Sequence, residues 1–354
     1  VVEPQSSGIG GGGFLIHYNA KTGLTETIDG RETAPASARP DRFLRADGRP
    51  MPFIESVIGG KSVGVPGNIR LAALAHRKWG KLPWAKLFEP AIRLADQGYA
   101  ATAPLAGASA RLSPIWLGTR PADDSDRPVA GDDSAVPSST TLTLPAIAAQ
   151  YAPGGKPIVE GQIVRNPALA ATLRSIASGG PDVFYTGKNA ADILAAVNGP
   201  VAAGGMTAAD LTAYRAKERP TVCANYRQWK LCGMGPPSSG ATTVFQILGM
   251  LERFDMKAMG KDSPAAWNLI GEAMRLAYAD REQYLGDGDF VNVPVRGLLD
   301  KKYVAARSAM IGPAKVLGVY KPGVPPGARA RTSGPTKENG TTHFIATDRS
   351  GDVA

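Results

Sequence analysis

The sequence has few of the side chains that build metal centres, and it has no long hydrophobic run. Its 354 residues include two cysteines and three histidines, and their spacing matches no metal-ligand motif. We therefore interpret His17, His76 and His343 as structural or surface residues. No apolar stretch approaches the roughly 18 residues that a membrane-spanning helix requires. These absences predict a protein without a bound metal ion and without a membrane span.

The basic residues are too dispersed to indicate nucleic-acid binding. The chain carries 40 Lys and Arg against 31 Asp and Glu, a formal net charge of +9. No dense basic run is interleaved with aromatic residues, as nucleic-acid-binding proteins typically require. The excess indicates a solvated basic surface that attracts anionic substrates weakly. The composition, 43% hydrophobic and 20% charged, is that of a globular protein large enough for a substantial core.

Both ends of the sequence read as cuts through a longer chain. Residues 1–4 (Val-Val-Glu-Pro) read as the inside of a longer sequence, without an initiator Met or a visible signal peptide. At the other end, residues 348–351 (Asp-Arg-Ser-Gly) predict a hairpin turn, after which residues 352–354 would start a strand. We therefore expect the fold to continue beyond these residues.

Two strands and several helices are predicted from apolar periodicity and from residues that begin helices. Phe14–Tyr18 reads as a buried strand and Leu24–Ile28 as its partner, with residues 19–23 as the turn between them. Capping residues before an apolar pattern, and proline in the first turn, favour a helix start. Such starts lie at Asn68, Pro83, Pro90, Asn166-Pro167, Thr207 (a capping box with Asp210) and Ser263-Pro264, the last of which opens the longest predicted helix.

Residues 8–13 (Gly-Ile-Gly-Gly-Gly-Gly) match the dinucleotide-binding pattern G-x-G-x-x-G, but their context does not. That fingerprint lies between a strand and a helix, so that the pyrophosphate meets a helix N-terminus. Here a Pro-Gln-Ser-Ser segment precedes the glycines, and a predicted strand follows them. We expect the glycines to permit close backbone packing and positive φ angles instead.

Two segments are predicted to lack regular structure. Residues 113–145 contain clustered Asp, Ser and Thr, and they predict an exposed loop. Residues 320–339 are rich in Pro, Gly and basic side chains, and two interpretations of them remain open. They are an interdomain linker, or they are a mobile tail that presents an accessible backbone to cleavage just beyond them.

Short motifs along nearly the whole chain together resemble one enzyme family. They are residues 6–13 (Ser-Ser-Gly-Ile-Gly-Gly-Gly-Gly), 29–35 (Asp-Gly-Arg-Glu-Thr-Ala-Pro), 236–240 (Pro-Pro-Ser-Ser-Gly), 278–281 (Tyr-Ala-Asp-Arg), 284–287 (Tyr-Leu-Gly-Asp) and 340–347 (Gly-Thr-Thr-His-Phe-Ile-Ala-Thr). This set resembles the γ-glutamyltranspeptidase family of N-terminal-nucleophile hydrolases. The resemblance implies an α/β fold of stacked antiparallel sheets flanked by helices, in the order αββα.

The same resemblance implies how the chain is divided. Residues 1–340 would be a large-subunit segment and residues 341–354 the first strand of a small subunit, within one structural domain overall. In this family, self-cleavage makes a threonine of the Thr-Thr-His motif the first residue of the small subunit. By resemblance, the cleavage site is Gly340-Thr341 and Thr341 is the catalytic nucleophile, with Thr342 as the competing register.

Thr341 has a route to activation that needs no other side chain. A threonine hydroxyl is a weak nucleophile until a base accepts its proton. Cleavage would expose the α-amino group of the same residue, whose reference pKa of about 7.7–8.0 leaves part of it neutral near pH 7. We expect the uncleaved precursor to be inactive, because this amine is still part of the peptide bond.

Arg31 allows two interpretations. It is a surface arginine paired with Glu32, the usual situation of an arginine beside a glutamate. Alternatively, its planar guanidinium binds a carboxylate through two parallel hydrogen bonds. The resemblance favours the second interpretation, because the family's arginine in this motif holds the α-carboxylate of the glutamyl donor.

The two cysteines flank a predicted hairpin. With Arg227-Gln228 as a two-residue turn, Cys223 and Cys232 lie opposite each other at a non-hydrogen-bonded pair, where Cα atoms are about 4.5 Å apart. A disulfide is feasible at that spacing, although Arg-Gln is a poor turn pair. Two reduced, half-buried thiols are the alternative.

The resemblance also implies the reaction. A γ-glutamyl amide such as glutathione would acylate Thr341, and the ester would pass to water or to an amino-acid or peptide amine. Neither a metal nor an organic cofactor is implied. The partners are the donor, the acceptor and the small subunit of the same precursor, without nucleic acid, and the location is periplasmic or secreted. A cephalosporin or glutaryl acylase, or another amidohydrolase of the superfamily, is the alternative enzyme, and an inactive binding protein is the non-enzyme alternative.

Overall fold

The structure, a computed structural model, describes residues 1–52, 56–119, 143–329 and 342–354. These residues form two compact units built from interleaved segments. The first contains Val1–Gly13 and Gly30–Ala216, and the second contains Phe14–Asp29 and most of the chain from Lys217 onward. The expected boundary at residues 340 and 341 concerns cleavage of the chain, and it stays a prediction, as does the single structural domain.

The described strands form one three-stranded sheet and two short antiparallel pairs. The strands are β1 (Gly13–Asn19), β2 (Leu24–Gly30), β3 (Tyr99–Ala100), β4 (Ile163–Val164), β5 (Lys217–Arg219), β6 (Val222–Tyr226) and β7 (Trp229–Gly233). The three-stranded sheet has the order β1-β2-β5 and lies in the second unit, while β3 pairs with β4 and β6 pairs with β7. In the sheet, Thr27 of β2 lies opposite Arg219 of β5, and Asp29 lies opposite Lys217.

The first predicted strand pair is confirmed, but β1 is less buried than expected. Ile16 and Tyr18 are 36% and 38% exposed, whereas His17 between them is buried. Ile16 and Tyr18 project from one face of β1 and His17 from the other, so the burial alternates as in a strand with one covered face.

Helices account for more residues than strands in both units. Among the described helices, none combines the length and the apolar composition of a membrane span. The first unit contains α1 (Asn68–Trp79), α2 (Glu89–Gln97), α3 (Ala103–Trp116), α4 (Pro145–Tyr151), α5 (Pro167–Gly179), α6 (Asp182–Tyr185), α7 (Gly187–Val197) and α8 (Ala208–Ala213), with 3₁₀ helices at Gly60–Ser62, Trp84–Phe88 and Pro153–Gly155. The second unit contains α9 (Gly240–Leu251), α10 (Met256–Met259), α11 (Pro264–Tyr284), α12 (Val295–Leu298) and α13 (Lys301–Met310).

Side-chain caps confirm three of the predicted helix starts. Asn166 Oδ1 accepts a hydrogen bond from Leu169 N at 2.9 Å at the start of α5. Thr207 and Asp210 form both hydrogen bonds of a capping box at α8, although Asp replaces the usual Glu or Gln. Ser263 caps α11 in the same way. Each cap satisfies backbone N–H groups that a helix end otherwise leaves unbonded.

Each unit has its own apolar core. In the first unit, Ile69 of α1 and Leu173 and Ile176 of α5 are buried in one cluster. In the second unit, Leu269, Ala273, Leu276 and Ala277 of α11 are fully buried in a cluster with residues of α9 and α13. The buried residues of α5 and α11 recur at helical spacing, so each of these helices turns one apolar face to its core.

The start of the predicted tail at residues 320–339 is anchored rather than mobile. Tyr320 Oη donates to Glu272 Oε1 at 2.5 Å, and Gly323 N donates to Asp280 Oδ1 at 2.8 Å. Asp280, 1% exposed, also pairs with Arg307 at 3.2 Å. Residues 320–329 contain no helix or strand, as predicted, but buried carboxylates of α11 hold the segment at Tyr320 and Gly323, so it is not a mobile tail there. Residues 330–339 lie outside the described residues.

The predicted loop at residues 113–145 begins later than expected. Residues 113–116 continue α3, and Ser113 is 4% exposed. The buried positions Leu105, Ser109 and Ser113 are spaced like one face of a helix, so packing extends α3 through Pro114. Residues 120–142 lie outside the described residues.

The predicted turn at residues 348–351 is confirmed. Gly351 has a φ of +85°, and Asp348 N donates to Asp352 O at 3.0 Å. Val353 then pairs with Tyr18 of β1, within the second unit. The last described residues therefore extend the edge at which β1 lies.

Candidate active site

The glycine-rich loop is held against the start of α1. Gly11 O accepts hydrogen bonds from Gly67 N at 3.0 Å and from Asn68 N at 3.1 Å. The Asn68 side chain adds a bond from Nδ2 to Gly8 O at 2.7 Å. A strand follows the loop, so the rejection of a dinucleotide site is consistent with the structure. None of the glycines in residues 8–13 has a positive φ, so that part of the expectation is wrong.

Close packing explains the glycine at position 12. A Cβ atom there would lie 2.5 Å from Glu32 N and 2.7 Å from Gly30 O. Gly12 N instead donates to Glu32 Oε1 at 2.6 Å. The loop therefore touches the backbone on either side of Arg31, and the expectation of close backbone packing is confirmed.

The backbone around Arg31 is fixed at several points. Tyr214 Oη donates to Arg31 O at 2.7 Å. Two residues further along, Thr33 and Val65 exchange backbone hydrogen bonds of 2.8 and 3.4 Å. Gly67 packs so closely that a Cβ atom there would lie 1.9 Å from Gly30 O. These contacts hold the residue rigidly without engaging the end of its side chain.

Tyr214 is itself supported by a second buried tyrosine. The rings of Tyr185 and Tyr214 are parallel within 2°, with centroids 6.1 Å apart. Tyr185 Oη donates to Pro66 O at 3.0 Å, next to Gly67. Burial raises the pKa of Tyr185 to about 12, so its hydroxyl remains protonated, and remains a donor, throughout the physiological range.

The Arg31 side chain points into an exposed region. Its Nε lies 3.4 Å from Glu32 Oε2, so the ion pair of the first interpretation is present. The Arg31 side chain is nevertheless 62% exposed, and exposed ion pairs contribute little to stability. Glu32 therefore contacts the arginine, most of whose side chain is open to solvent.

The proposed nucleophile lies outside the described residues. Gly340 and Thr341 fall within 330–341, so the cleavage site and the role of Thr341 stay predictions. The structure resumes at Thr342, and the side chains of Phe344 and Ile345 are 82% and 67% exposed. The described residues therefore contain Arg31 but not the nucleophile, and the pairing of the two in one site also stays a prediction.

The cysteine hairpin has the predicted register. Cys223 of β6 lies opposite Cys232 of β7, and Tyr226 lies opposite Trp229, so Arg227 and Gln228 form the turn. The Cα atoms of the cysteines are 4.1 Å apart, and the structure joins their sulfur atoms. Arg227 takes a positive φ of 53°, and its N–H donates to Glu252 Oε1 at 2.9 Å. This bond supports a turn for which the Arg-Gln pair is poorly suited. The oxidised state in the native protein stays a prediction.

The described residues contain no group of three or more His, Cys, Asp and Glu side chains placed to hold a metal ion. His76 Nε2 lies 2.7 Å from Leu82 O, and its ring packs edge-on against Trp84. His17 is buried in β1, and His343 is exposed. These positions agree with structural or surface roles.

Sequence reasoning misses three features that shape this region. Tyr214 holds the Arg31 carbonyl from a position far along the chain, and Asn68 fastens the glycine loop. The sequence identifies Glu32 only as a partner of Arg31, although it also binds Gly12. The Val-Pro-Gly-Asn start of α1 is a usable signal for Asn68, since asparagine beside a helix start often binds backbone groups. No local sequence pattern indicates that Tyr214 contacts Arg31.

Comparison with known proteins agrees with this architecture. The family model described as gamma-glutamyltranspeptidase matches residues 1–354. The chain is 35% identical over 361 residues to the glutathione hydrolase proenzyme of Bacillus subtilis, covering 100% of this chain and 57% of that protein. It is 34% identical over 321 residues to the Acylase ACY 1 proenzyme of a Pseudomonas species (strain V22), covering 88% and 52% respectively. The crystal structure of Helicobacter pylori γ-glutamyltranspeptidase superimposes with a TM-score of 0.77 at 33% identity, over 91% of this chain and 85% of that one.

The fold and these neighbours define the class of protein, an α/β N-terminal-nucleophile hydrolase, as the sequence predicts. Within that class, the chain belongs to the γ-glutamyltranspeptidase family. The chain spans only a little over half the length of the curated relatives it matches, 57% of the Bacillus subtilis protein.

Proposed function

We propose that this chain forms the donor-binding part of an enzyme that transfers or hydrolyses γ-glutamyl groups. The observation that carries the proposal is Arg31, whose backbone is fixed by Tyr214 while its side chain is 62% exposed. A rigid backbone lowers the entropy lost when a ligand is bound. A guanidinium fork matches a carboxylate in two parallel hydrogen bonds. Family membership supports the same role.

The donor in this proposal is a γ-glutamyl amide such as glutathione. Its α-carboxylate binds Arg31, and this contact places the γ-carbonyl group next to the nucleophile, Thr341. The Thr341 hydroxyl attacks that carbonyl carbon, its proton passes to the α-amine of Thr341, and the amide nitrogen leaves with a proton as an amine. A γ-glutamyl ester remains, and water or the amine of an amino acid or peptide attacks it in turn. Glutamate or a new γ-glutamyl amide is released, and the hydroxyl is regenerated.

The nucleophile becomes available by self-cleavage at Gly340-Thr341. The Thr341 hydroxyl attacks the Gly340 carbonyl, and water then opens the resulting ester. The names of the Bacillus subtilis and Pseudomonas relatives describe proenzymes, which supports maturation from a precursor. The small subunit of the same precursor is then the partner of this chain. We place the protein in the periplasm or outside the cell.

Substrate choice by the wild-type protein tests the proposal. A γ-glutamyl anilide and a butyryl anilide share the acyl chain, but the second lacks the α-amino and α-carboxylate groups. The mature full-length protein should release aniline from the first compound with a much higher kcat/KM. A matured protein that cleaves neither compound would contradict the proposal and favour an inactive binding protein.

A related acylase is the second candidate. The specific observation in its favour is the 34% identity to a protein named Acylase ACY 1 proenzyme. A glutaryl acylase would not need the α-amino group of the donor, so it would cleave a glutaryl anilide, which keeps the carboxylate but lacks that amine, at least as well as the γ-glutamyl one. That result would replace the γ-glutamyl interpretation.

A further inference from the structure

A second cluster of arginines lies in the first unit, apart from Arg31. Arg70 and Arg77, two turns apart on α1, face a groove of about 250 Å³ together with Arg215, which follows α8. Leu74 and Ala216 complete the apolar part of its wall, and Asp182 is the one carboxylate among the residues that line it. Three guanidinium groups therefore share a small concave space with one negative charge.

Two of the three guanidinium groups are held in place before any ligand arrives. Arg70 lies 4.4 Å above the ring centroid of Tyr185 and pairs with Asp182, and its side chain is 17% exposed. Arg215 Nη1 donates to Thr212 O at 2.7 Å and to Tyr214 O at 2.8 Å. Both hydrogens of that nitrogen are used, whereas the Nη2 and Nε hydrogens of Arg215 bond to no acceptor among the described residues.

The third arginine, Arg77, adds a positive charge without a hydrogen-bonded partner among the described residues. Arg77 is exposed, and it forms no hydrogen bond or ion pair with any part of the chain that the structure describes. The pKa of Asp182 is lowered mainly by the hydrogen bond from Arg70, with smaller contributions from Arg215 and Arg77. All three cations therefore act on the same small region, and two positive charges remain after Asp182 is counted.

We propose that this groove binds a small dianion, a phosphate group or a dicarboxylate, between Arg70, Arg77 and Arg215. Charge-assisted hydrogen bonds from guanidinium to phosphate or carboxylate are stronger than hydrogen bonds between neutral groups. Donors that are already held in place also increase affinity, because less conformational entropy is lost when the ligand binds. Two unneutralised charges select a dianion over a monoanion. Arg31 does not line the groove, so this site is separate from the proposed donor site and does not depend on the proposed function.

Titration calorimetry of the purified full-length protein with inorganic phosphate, at constant ionic strength and pH 7.5, tests the proposal. Saturable binding to one site is expected, and Arg77→Ala should weaken it about tenfold, the loss expected for one hydrogen bond to a charged group. Arg93→Ala removes an equally exposed positive charge of the same unit from outside the groove, so it should leave binding unchanged. Asp182→Asn removes the competing carboxylate and should strengthen binding.

Two further titrations show whether the bound dianion is a phosphoryl group or a dicarboxylate. Succinate tests a dicarboxylate ligand and phosphate a phosphoryl ligand, and binding of either one supports the site. Acetate, a monoanion, should bind much more weakly than both. The proposal is overturned if neither dianion binds saturably, if acetate binds as tightly, or if Arg93→Ala or Asp182→Asn weakens binding as much as Arg77→Ala does. Thermal unfolding without ligand checks that each variant is folded.

Discussion

The backbone N–H of Gly12 donates a hydrogen bond to Glu32 Oε1 at 2.6 Å, beside the residue that we assign to donor binding. The contact depends on glycine, because a Cβ atom at position 12 would lie 2.5 Å from Glu32 N and 2.6 Å from Glu32 Oε2. The glycine-rich loop and Arg31 are thus parts of one tightly packed arrangement within the first unit.

Gly12→Ala should therefore destabilise the protein by about 1–3 kcal/mol, the usual cost of forcing extra atoms into a packed site. Because Glu32 must move, turnover of a γ-glutamyl anilide should also fall. Gly10→Ala is the matched control, since no atom lies within 4 Å of a Cβ there and its φ is not positive. Its stability should stay within about 0.5 kcal/mol of wild type. Equal denaturation midpoints for the two variants would show that the packing at Gly12 is unimportant.

Thr341→Ala should abolish both self-cleavage and turnover, because one hydroxyl performs both reactions. Thr341→Ser keeps a hydroxyl and should retain part of each activity. Denaturing gels and intact-mass measurement report whether the chain is cut before residue 341. Normal cleavage of the alanine variant would move the nucleophile elsewhere, first to Thr342.

The hairpin of β6 and β7 should carry an oxidised Cys223–Cys232 pair in native material. Thiol titration under denaturing, non-reducing conditions should find no free thiol, and two after reduction. The cysteines are 9 residues apart, so reduction should cost less than the roughly 3 kcal/mol that chain entropy predicts for closing a fifteen-residue loop. Two free thiols in carefully handled native protein would refute the pairing.

The lowered pKa of Asp289 leads us to expect a specific loss of stability in acid. Hydrogen bonds from Arg219 and then Lys217 lower the pKa of Asp289 well below its usual range. A carboxylate whose pKa is depressed on folding stabilises the fold above its unfolded value, about 3.9, and that contribution is lost as pH falls through the folded value. Asp289→Asn should therefore lower the melting temperature at pH 7, and the difference from wild type should narrow between pH 4 and pH 2. A difference of the same size at both ends of that range would exclude Asp289 as the titrating group.

Local signals in the sequence are enough to predict most helix and strand starts. Asn166, Thr207 and Ser263 each bind the backbone three residues ahead, so the evidence for a cap lies within one turn of helix. The register of the cysteine hairpin follows in the same way from the length of its turn. In each case the residues that interact are close neighbours in the chain.

The failures arise where distant residues decide the structure. The composition around Tyr320 allows a mobile tail, but Glu272 and Asp280 of α11 bind that segment. Proline and clustered polar residues predict a loop from residue 113, but burial of Ser113 continues α3. In the candidate site, Arg31 is identified through its motif, whereas Tyr214 contacts it across 183 positions of sequence. Long-range packing of this kind leaves no local pattern to find.

The measurement that tests the account most directly is the donor preference of Arg31→Ala. Losing one partner of a charge pair that substrate covers costs about 2–5 kcal/mol. At about 1.4 kcal/mol per tenfold change, kcat/KM for a γ-glutamyl anilide should fall about thirtyfold to several thousandfold, while that for a butyryl anilide, which has no carboxylate, changes little. Arg31→Lys should recover little of this loss, because an ammonium group lacks the fork. Arg39→Ala, which removes another exposed, ion-paired arginine, should leave the preference unchanged. If Arg31→Ala cleaves itself normally and keeps the wild-type preference for the γ-glutamyl compound, Arg31 is a surface ion-pair partner of Glu32 and the donor-binding assignment is wrong.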